Sequence, residues 1–236
     1  MFKKILMLFI LIIPVSLHAE ESTLSKWSGD AELGYLKSTG NTENKSMHAK
    51  GSLINERIKW KHTTTFEVTN KSDKGETIAK RWYVTAKSDY KISNASYMFV
   101  GLSHESDDFS GYDYQSTGTF GYGNHIINKK ILKLDLEAGV GTRQSKLNSG
   151  ASLSETILKG AAKLIWVISN TSEFNQNLSV ESGNENTQTR SVTALKMQIV
   201  GNLSSKITYS IKYNSDVPVG IVKKDTETVI SLLYNF

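Results

Sequence analysis

The segment "HESDDFSGYDY", His104 to Tyr114, gathers four carboxylates, one imidazole and three aromatic rings around Gly111. Two kinds of chemistry use such a set. Hard carboxylate oxygens bind a divalent cation such as calcium or magnesium. A histidine beside a serine and an orienting group activates a nucleophile. Glu105, Asp107, Asp108 and Asp113 are therefore the candidate cation ligands. Their spacing matches no D-x-D-x-D-G calcium loop. A tight loop capped by its own Asp and Ser side chains, and pinned by Phe109 and Tyr112, explains the same residues. For nucleophilic chemistry the chain offers His48, His62, His104 and His125 beyond its first nineteen residues. Ser103 and Ser106 lie near His104, but neighbours on a strand point to opposite faces. No motif of a known barrel enzyme surrounds any of the four. No catalytic residue, resident metal or cofactor is expected.

The elements that carry these residues are strands. Trp27, Ala31, Leu33 and Tyr35 alternate with Asp30 and Glu32. Leu132, Leu134, Leu136, Ala138 and Val140 alternate with Lys133, Asp135 and Glu137. Ile207, Tyr209, Ile211 and Tyr213 alternate with Thr208, Ser210 and Lys212. Period two marks a strand with unlike faces. About twelve such segments follow one another, at 27–38, 44–54, 58–70, 77–91, 95–106, 112–126, 131–143, 154–168, 172–183, 187–200, 205–215 and 225–236. Each is close to the length that crosses a bilayer as a tilted strand. The segment at 95–106 is ambiguous, because Tyr97 and Phe99 favour one facing while Met98, Val100 and Leu102 favour the other.

Composition agrees. Among 236 residues, 39% are apolar and 22% charged, which argues against a many-helix membrane protein. Cysteine is absent, so disulfides, thiolate metal sites and cysteine nucleophiles are excluded. A net charge of +5, spread evenly, is too small to imply nucleic acid. The N-terminus reads "MFKK", then an apolar run broken by Pro14, then Ala19. This is the pattern of a secretory signal peptide over 1–19, with cleavage near Ala19–Glu20. Residues 20–236 then form one domain.

Short polar connections ("NER", "SNA", "NKK", "SNT", "NLSS") alternate with longer ones ("TGNTE", "NKSDKGE", "ESDDFSGY", "RQSKLNSGASL", "SGNEN", "SDVPVGIVKK"). That is the plan of an all-β, antiparallel up-and-down barrel in the outer membrane of a Gram-negative cell, with short turns toward the periplasm. Closure pairs every backbone polar group, as the bilayer demands. One strand face meets lipid and the other a lumen. The lumen face receives Asp30, Glu32, Glu67, Asp113, Asp135, Glu137 and Glu227 against Lys50, Lys61, Arg81, Arg143, Lys163, Arg190 and Lys212. Interleaved signs imply a narrow lumen laced with ion pairs. Trp27, Trp60, Tyr97, Trp166, Phe174 and Tyr209 are expected in the inner aromatic girdle, and Tyr35, Trp82, Tyr112 and Tyr114 in the outer one.

The last strand, "TETVISLLYNF", sets Ile230, Leu232, Tyr234 and Phe236 on one face and ends on an aromatic ring. Tyr234 and Phe236 resemble the terminal signal that outer-membrane assembly machinery reads. "HESDDFSGYDYQSTGTFGYG" resembles the most distinctive stretch of the salt-induced outer-membrane proteins, the domain of unknown function 481 family. The match is Asp107, Phe109, Gly111, Tyr112, Asp113 and Tyr114, then Gly121 and Gly123. "GYLKSTGNTENKS", "LEAGVGTRQS" and "LLYNF" fit as well. The resemblance implies an outer-membrane barrel and a tie to salt or osmotic stress, with no defined activity. The expected role is a narrow pore or a structural envelope barrel. The alternatives are a lipase- or protease-like barrel enzyme, or a surface-recognition barrel without transport. The expected partners are outer-membrane lipids and lipopolysaccharide, the assembly machinery and periplasmic chaperones.

Overall fold

The computed structural model describes residues 25–38, 44–108 and 110–236. The expected signal peptide, the Thr-Gly-Asn-Thr loop and Phe109 lie outside the described residues. Twelve strands follow in chain order: β1 (Lys26–Ser38), β2 (Asn44–Glu56), β3 (Trp60–Asp73), β4 (Glu76–Lys91), β5 (Ser96–Asp107), β6 (Tyr112–Asn128), β7 (Leu132–Leu147), β8 (Ser152–Val167), β9 (Ser172–Gly183), β10 (Thr187–Val200), β11 (Leu203–Asn214) and β12 (Lys224–Asn235). Each pairs antiparallel with its neighbours, and β1 meets β12 to close the barrel.

Alternation fixes the facing of every strand. Leu33, Phe66, Leu102, Val140, Leu158, Ile230 and Leu232 stand outward and exposed, as a lipid-facing surface requires. Glu32, Glu105, Arg143, Ile157, Ser231 and Leu233, at the opposite parity of the same strands, are buried inside. On β5, Tyr97 and Phe99 turn inward, while Met98, Val100 and Leu102 face out. Tyr97 therefore belongs to the lumen and not to the inner girdle. Gly121 and Gly123 on β6 make room for it. A Cβ on Gly121 would lie 2.7 Å from the Phe99 ring, and one on Gly123 2.7 Å from the Tyr97 hydroxyl. Tyr112 also departs from expectation. A register shift between Tyr112 and Tyr114 turns Tyr112 into the wall, buried, and leaves Asp113 exposed at the rim.

The short-turn end matches the expected plan. In the β4–β5 turn the Ser93 hydroxyl accepts from the backbone N–H groups of Ala95 and Ser96, both at 3.1 Å. The other end differs. The stretch read as a loop at "NKSDKGE" is strand up to Asp73 and again from Glu76. Lys74 (φ 49°) and Gly75 (φ 85°) alone make the turn, the paired positive φ of a type I′ hairpin. β7 and β8 likewise run on to Leu147 and from Ser152. Beyond the bilayer a strand pair keeps its ladder with polar residues on both faces, so polarity there does not mark a loop.

The long connection is 215–223, between β11 and β12. It is tied down at its start. Ser215 N–H donates to the Thr187 carbonyl at 2.9 Å, Asp216 N–H to Asn186 Oδ1 at 3.2 Å, and Lys223 Nζ to the Ser215 carbonyl at 2.6 Å. It then reaches the β5–β6 turn, where a Cβ on Gly111 would meet Pro218 Cγ at 2.9 Å and Ile221 Cγ1 at 3.0 Å. In a ring of twelve, β5 and β6 lie opposite β11 and β12. The connection is thus a strap over the mouth.

Candidate functional site

Inside the long-loop end, the inward parity of four strands brings Arg81, Glu105, Arg190 and Lys212 to one level. Glu105 is 4% exposed and faces three cations. Lys212 Nζ donates to Glu105 Oε2 at 2.9 Å, Arg81 Nη1 to Oε1 at 3.4 Å, and Arg190 Nη2 to Oε2. Glu105 stands on β5, and Lys212 stands on β11, six strands away around a twelve-strand ring. This ion pair spans the lumen from wall to wall. Three cations around one buried carboxylate fix its orientation far better than one exposed partner does.

The layer extends sideways. Arg81 also binds Glu67 and lies 3.8 Å from Glu227. Lys50 reaches Glu67 at 3.6 Å and Lys71 reaches Glu227 at 2.8 Å. The Arg190 guanidinium lies 4.8 Å above the Tyr83 ring, a cation–π contact strengthened by exclusion of water. Amides bridge the same region. Gln188 Nε2 donates to Asn214 Oδ1 at 3.1 Å and to Gln115 Oε1 at 3.4 Å, and Gln115 Nε2 donates to Ser145 Oγ at 3.1 Å. Arg143, 1% exposed, donates to Glu155 from Nε (2.9 Å) and Nη2 (2.7 Å), and Nη2 also donates to the Asn186 carbonyl. Glu155 in turn accepts from the Glu185 N–H at 2.9 Å.

The short-turn half is a looser set of pairs. Lys87 binds Glu137 and lies 3.0 Å from Asp89, and the Tyr97 hydroxyl donates to Glu137 at 2.7 Å. Lys206 Nζ reaches Glu32 at 2.8 Å, and Ser231 Oγ donates to Glu32 at 2.6 Å. His125 and Asp135 are direct cross-strand partners, with Nδ1 and Oδ1 2.6 Å apart. No serine or threonine hydroxyl is bonded to the His125 ring among the described residues. Asp30, Lys61 and Lys163 take inward positions toward this end.

The acidic hairpin does not assemble one site. Glu105 points into the lumen, whereas the His104 ring lies outside, 4.9 Å from Trp82 and 5.5 Å from Tyr114, with Nδ1 2.7 Å from Ser116 Oγ. Asp108 pairs with Lys80 at 3.6 Å, and Asp113 with Lys146 at 3.4 Å. Asp107 closes the turn through its carbonyl, which accepts from Ser110 Oγ at 2.9 Å. Among the described residues no three His, Asp or Glu side chains converge as a metal site would need. The sequence reading omitted Glu105 from the lumen because the facing of β5 was ambiguous. The signal was present: Tyr97, Phe99, Gly101, Ser103 and Glu105 share one parity. Glu155, Gln115 and Gln188 escaped notice for a different reason, since no pattern in one chain pairs residues across a lumen.

Comparison with known proteins gives the same architecture. The profile of the family described as "Protein of unknown function, DUF481" matches residues 31–236. The uncharacterized protein YdiY of Escherichia coli (strain K12) is 26% identical over 220 residues, 91% of this chain and 85% of the relative. Among solved structures, an outer-membrane channel from Pseudomonas putida F1 superposes with a TM-score of 0.55 at 9% identity, covering 94% of this chain and 99% of the other. NanC porin superposes at 0.50 and 12% identity, covering 88% and 97%. These similarities establish an outer-membrane barrel fold.

Proposed function

Since the chain belongs to the DUF481 family, whose description assigns no activity, we propose that it is a narrow outer-membrane barrel held shut at rest by its own lumen side chains. The carrying observation is the Glu105–Lys212 pair, which joins opposite walls at 2.9 Å within a layer of arginines and amides. An open diffusion pore leaves its lumen to water, and small barrels filled by side chains do not. The strap at 215–223 adds a second obstruction above the same layer.

This reading is not enzymatic. His104 and Glu105, adjacent in sequence, sit on opposite sides of the wall, and that argues against a catalytic pair. A link to salt or osmotic stress rests on the family resemblance alone. A deletion strain that grew like its parent in high salt would remove it. Lipopolysaccharide and outer-membrane lipids around the wall, and the assembly machinery with periplasmic chaperones on the way there, are the partners this role entails.

Planar-bilayer recording tests the proposal. Wild-type protein should give no sustained single-channel steps. A variant lacking 217–222 and carrying Glu105→Gln should open. Sustained steps from the wild type would overturn resting closure. Silence from both proteins would leave a purely structural barrel.

A further inference from the structure

A small cavity lies in the lumen just inside the ion-pair layer. Its volume is about 60 Å³, and Arg143, Lys159, Thr117, Ser179 and the two glutamates 105 and 181 contribute to its wall. By volume it has room for roughly four water-sized particles, and it is too small for a sugar.

The wall has donors to spare and few acceptors. Glu105 accepts from Arg81, Arg190 and Lys212, and Glu181 Oε1 faces Lys159 Nζ at 3.3 Å. Gln115 accepts from Gln188 and donates to Ser145, so its amide is used at both ends. Arg143 is different. Its Nε and Nη2 are engaged by Glu155 and the Asn186 carbonyl, while Nη1 is buried with no partner among the described residues. A buried guanidinium N–H left without an acceptor is costly, and native structures rarely keep one. Lys159 has further N–H groups beyond the one facing Glu181, and the hydroxyls of Thr117 and Ser179 can rotate to donate. A cavity with an orphaned cationic donor, more donors around it and both of its carboxylates facing cations suits a ligand that only accepts.

We propose that this cavity is a buried site for a monovalent anion of halide size, held by Arg143 Nη1 with Lys159, Thr117 and Ser179. The ion would act as an internal part of the lumen packing, placed between the walls that the Glu105 layer joins.

Two measurements on the detergent-folded full barrel test this. Crystals soaked in sodium bromide should show an anomalous peak within hydrogen-bond distance of Arg143 Nη1. Guanidine-free thermal unfolding, at matched ionic strength, should give a higher midpoint in sodium chloride than in sodium gluconate, whose anion cannot enter. Above saturation the unfolding equilibrium constant should fall about tenfold for each tenfold rise in chloride. Arg143 variants risk misfolding, so Thr117→Val with Ser179→Ala serves as the second probe. It should fold and should shrink the chloride dependence. Equal midpoints in chloride and gluconate with no bromide peak would mean a water-filled cavity and would overturn the proposal. A chloride effect undiminished in the double variant, again without a peak, would place the anion elsewhere and overturn it equally.

Discussion

At the scale of single residues, the acidic hairpin divides into two unlike populations. Glu105 is buried and shared by three cations from three other strands, whereas Asp113 is more than half exposed beside Lys146 at 3.4 Å. Burial decides what each carboxylate contributes. Removing one partner from a buried ionic group strands the others and costs about 3–5 kcal/mol, while exposed pairs contribute about 0–1 kcal/mol. Glu105→Gln should therefore lower barrel stability by several kcal/mol in guanidinium unfolding of detergent-folded protein. Asp113→Asn should stay within about 0.5 kcal/mol of wild type. Equal, small effects would show that Glu105 is not the centre of the layer. Composition alone could not separate these residues. Both are acidic, both flank the same turn, and only the parity of β5 and the bulge at Tyr112–Tyr114 send one inward and leave the other at the rim.

At the scale of elements, strand positions were readable and strand ends were not. Alternating apolar residues pin a strand wherever one face meets lipid, so Ile230, Leu232 and Tyr234 place β12 from sequence alone. Outside the bilayer that contrast vanishes, and the β3–β4 and β7–β8 hairpins ran further than polarity suggested. The last strand also carries geometry that no pattern disclosed. Gly29 N–H donates to the Phe236 carbonyl at 2.9 Å, and Phe236 N–H donates back to Gly29 at 3.0 Å. A Cβ on Gly29 would fall 2.7 Å from the Phe236 ring. The terminal aromatic residue thus packs on the seam as well as ending the chain. Two roles are separable. If Phe236 is a recognition signal, Phe236→Ala should still fold unaided into detergent, less stably for want of the ring on the seam, yet reach the outer membrane far more poorly in cells than that loss of stability explains. Gly29→Val displaces the ring and crowds the backbone, so it should impair folding in detergent as well, read by heat-modifiable gel mobility. Normal unaided folding of Gly29→Val would show that the ring's seat on β1 is dispensable.

At the scale of the whole barrel, closure is uneven. β1 pairs with β2 through thirteen residue pairs but with β12 through five, Asp30–Gly34 against Ser231–Asn235. Strand count and antiparallel order followed from hydrophobic rhythm, but the register of this seam could not, because first and last strands share no turn to set it. In the outer half the ladder is replaced by side chains. Lys71 on β3 and Arg81 on β4 both reach Glu227 on β12, at 2.8 and 3.8 Å, past two and three intervening strands respectively. Ion pairs constrain a strand less tightly than a ladder does, since they leave its alternate backbone amides unbonded. The stretch Thr226–Ile230 should then contain the fastest-exchanging strand amides of the barrel, on the edge turned away from β11, when exchange is followed by mass spectrometry. Glu227→Gln removes the anion that both cations share, and it should raise exchange there severalfold while leaving the β6–β7 ladder unchanged. Uniform protection along β12, or an equal rise on β6, would mean that the seam is held by its backbone and that the lumen charges contribute only locally.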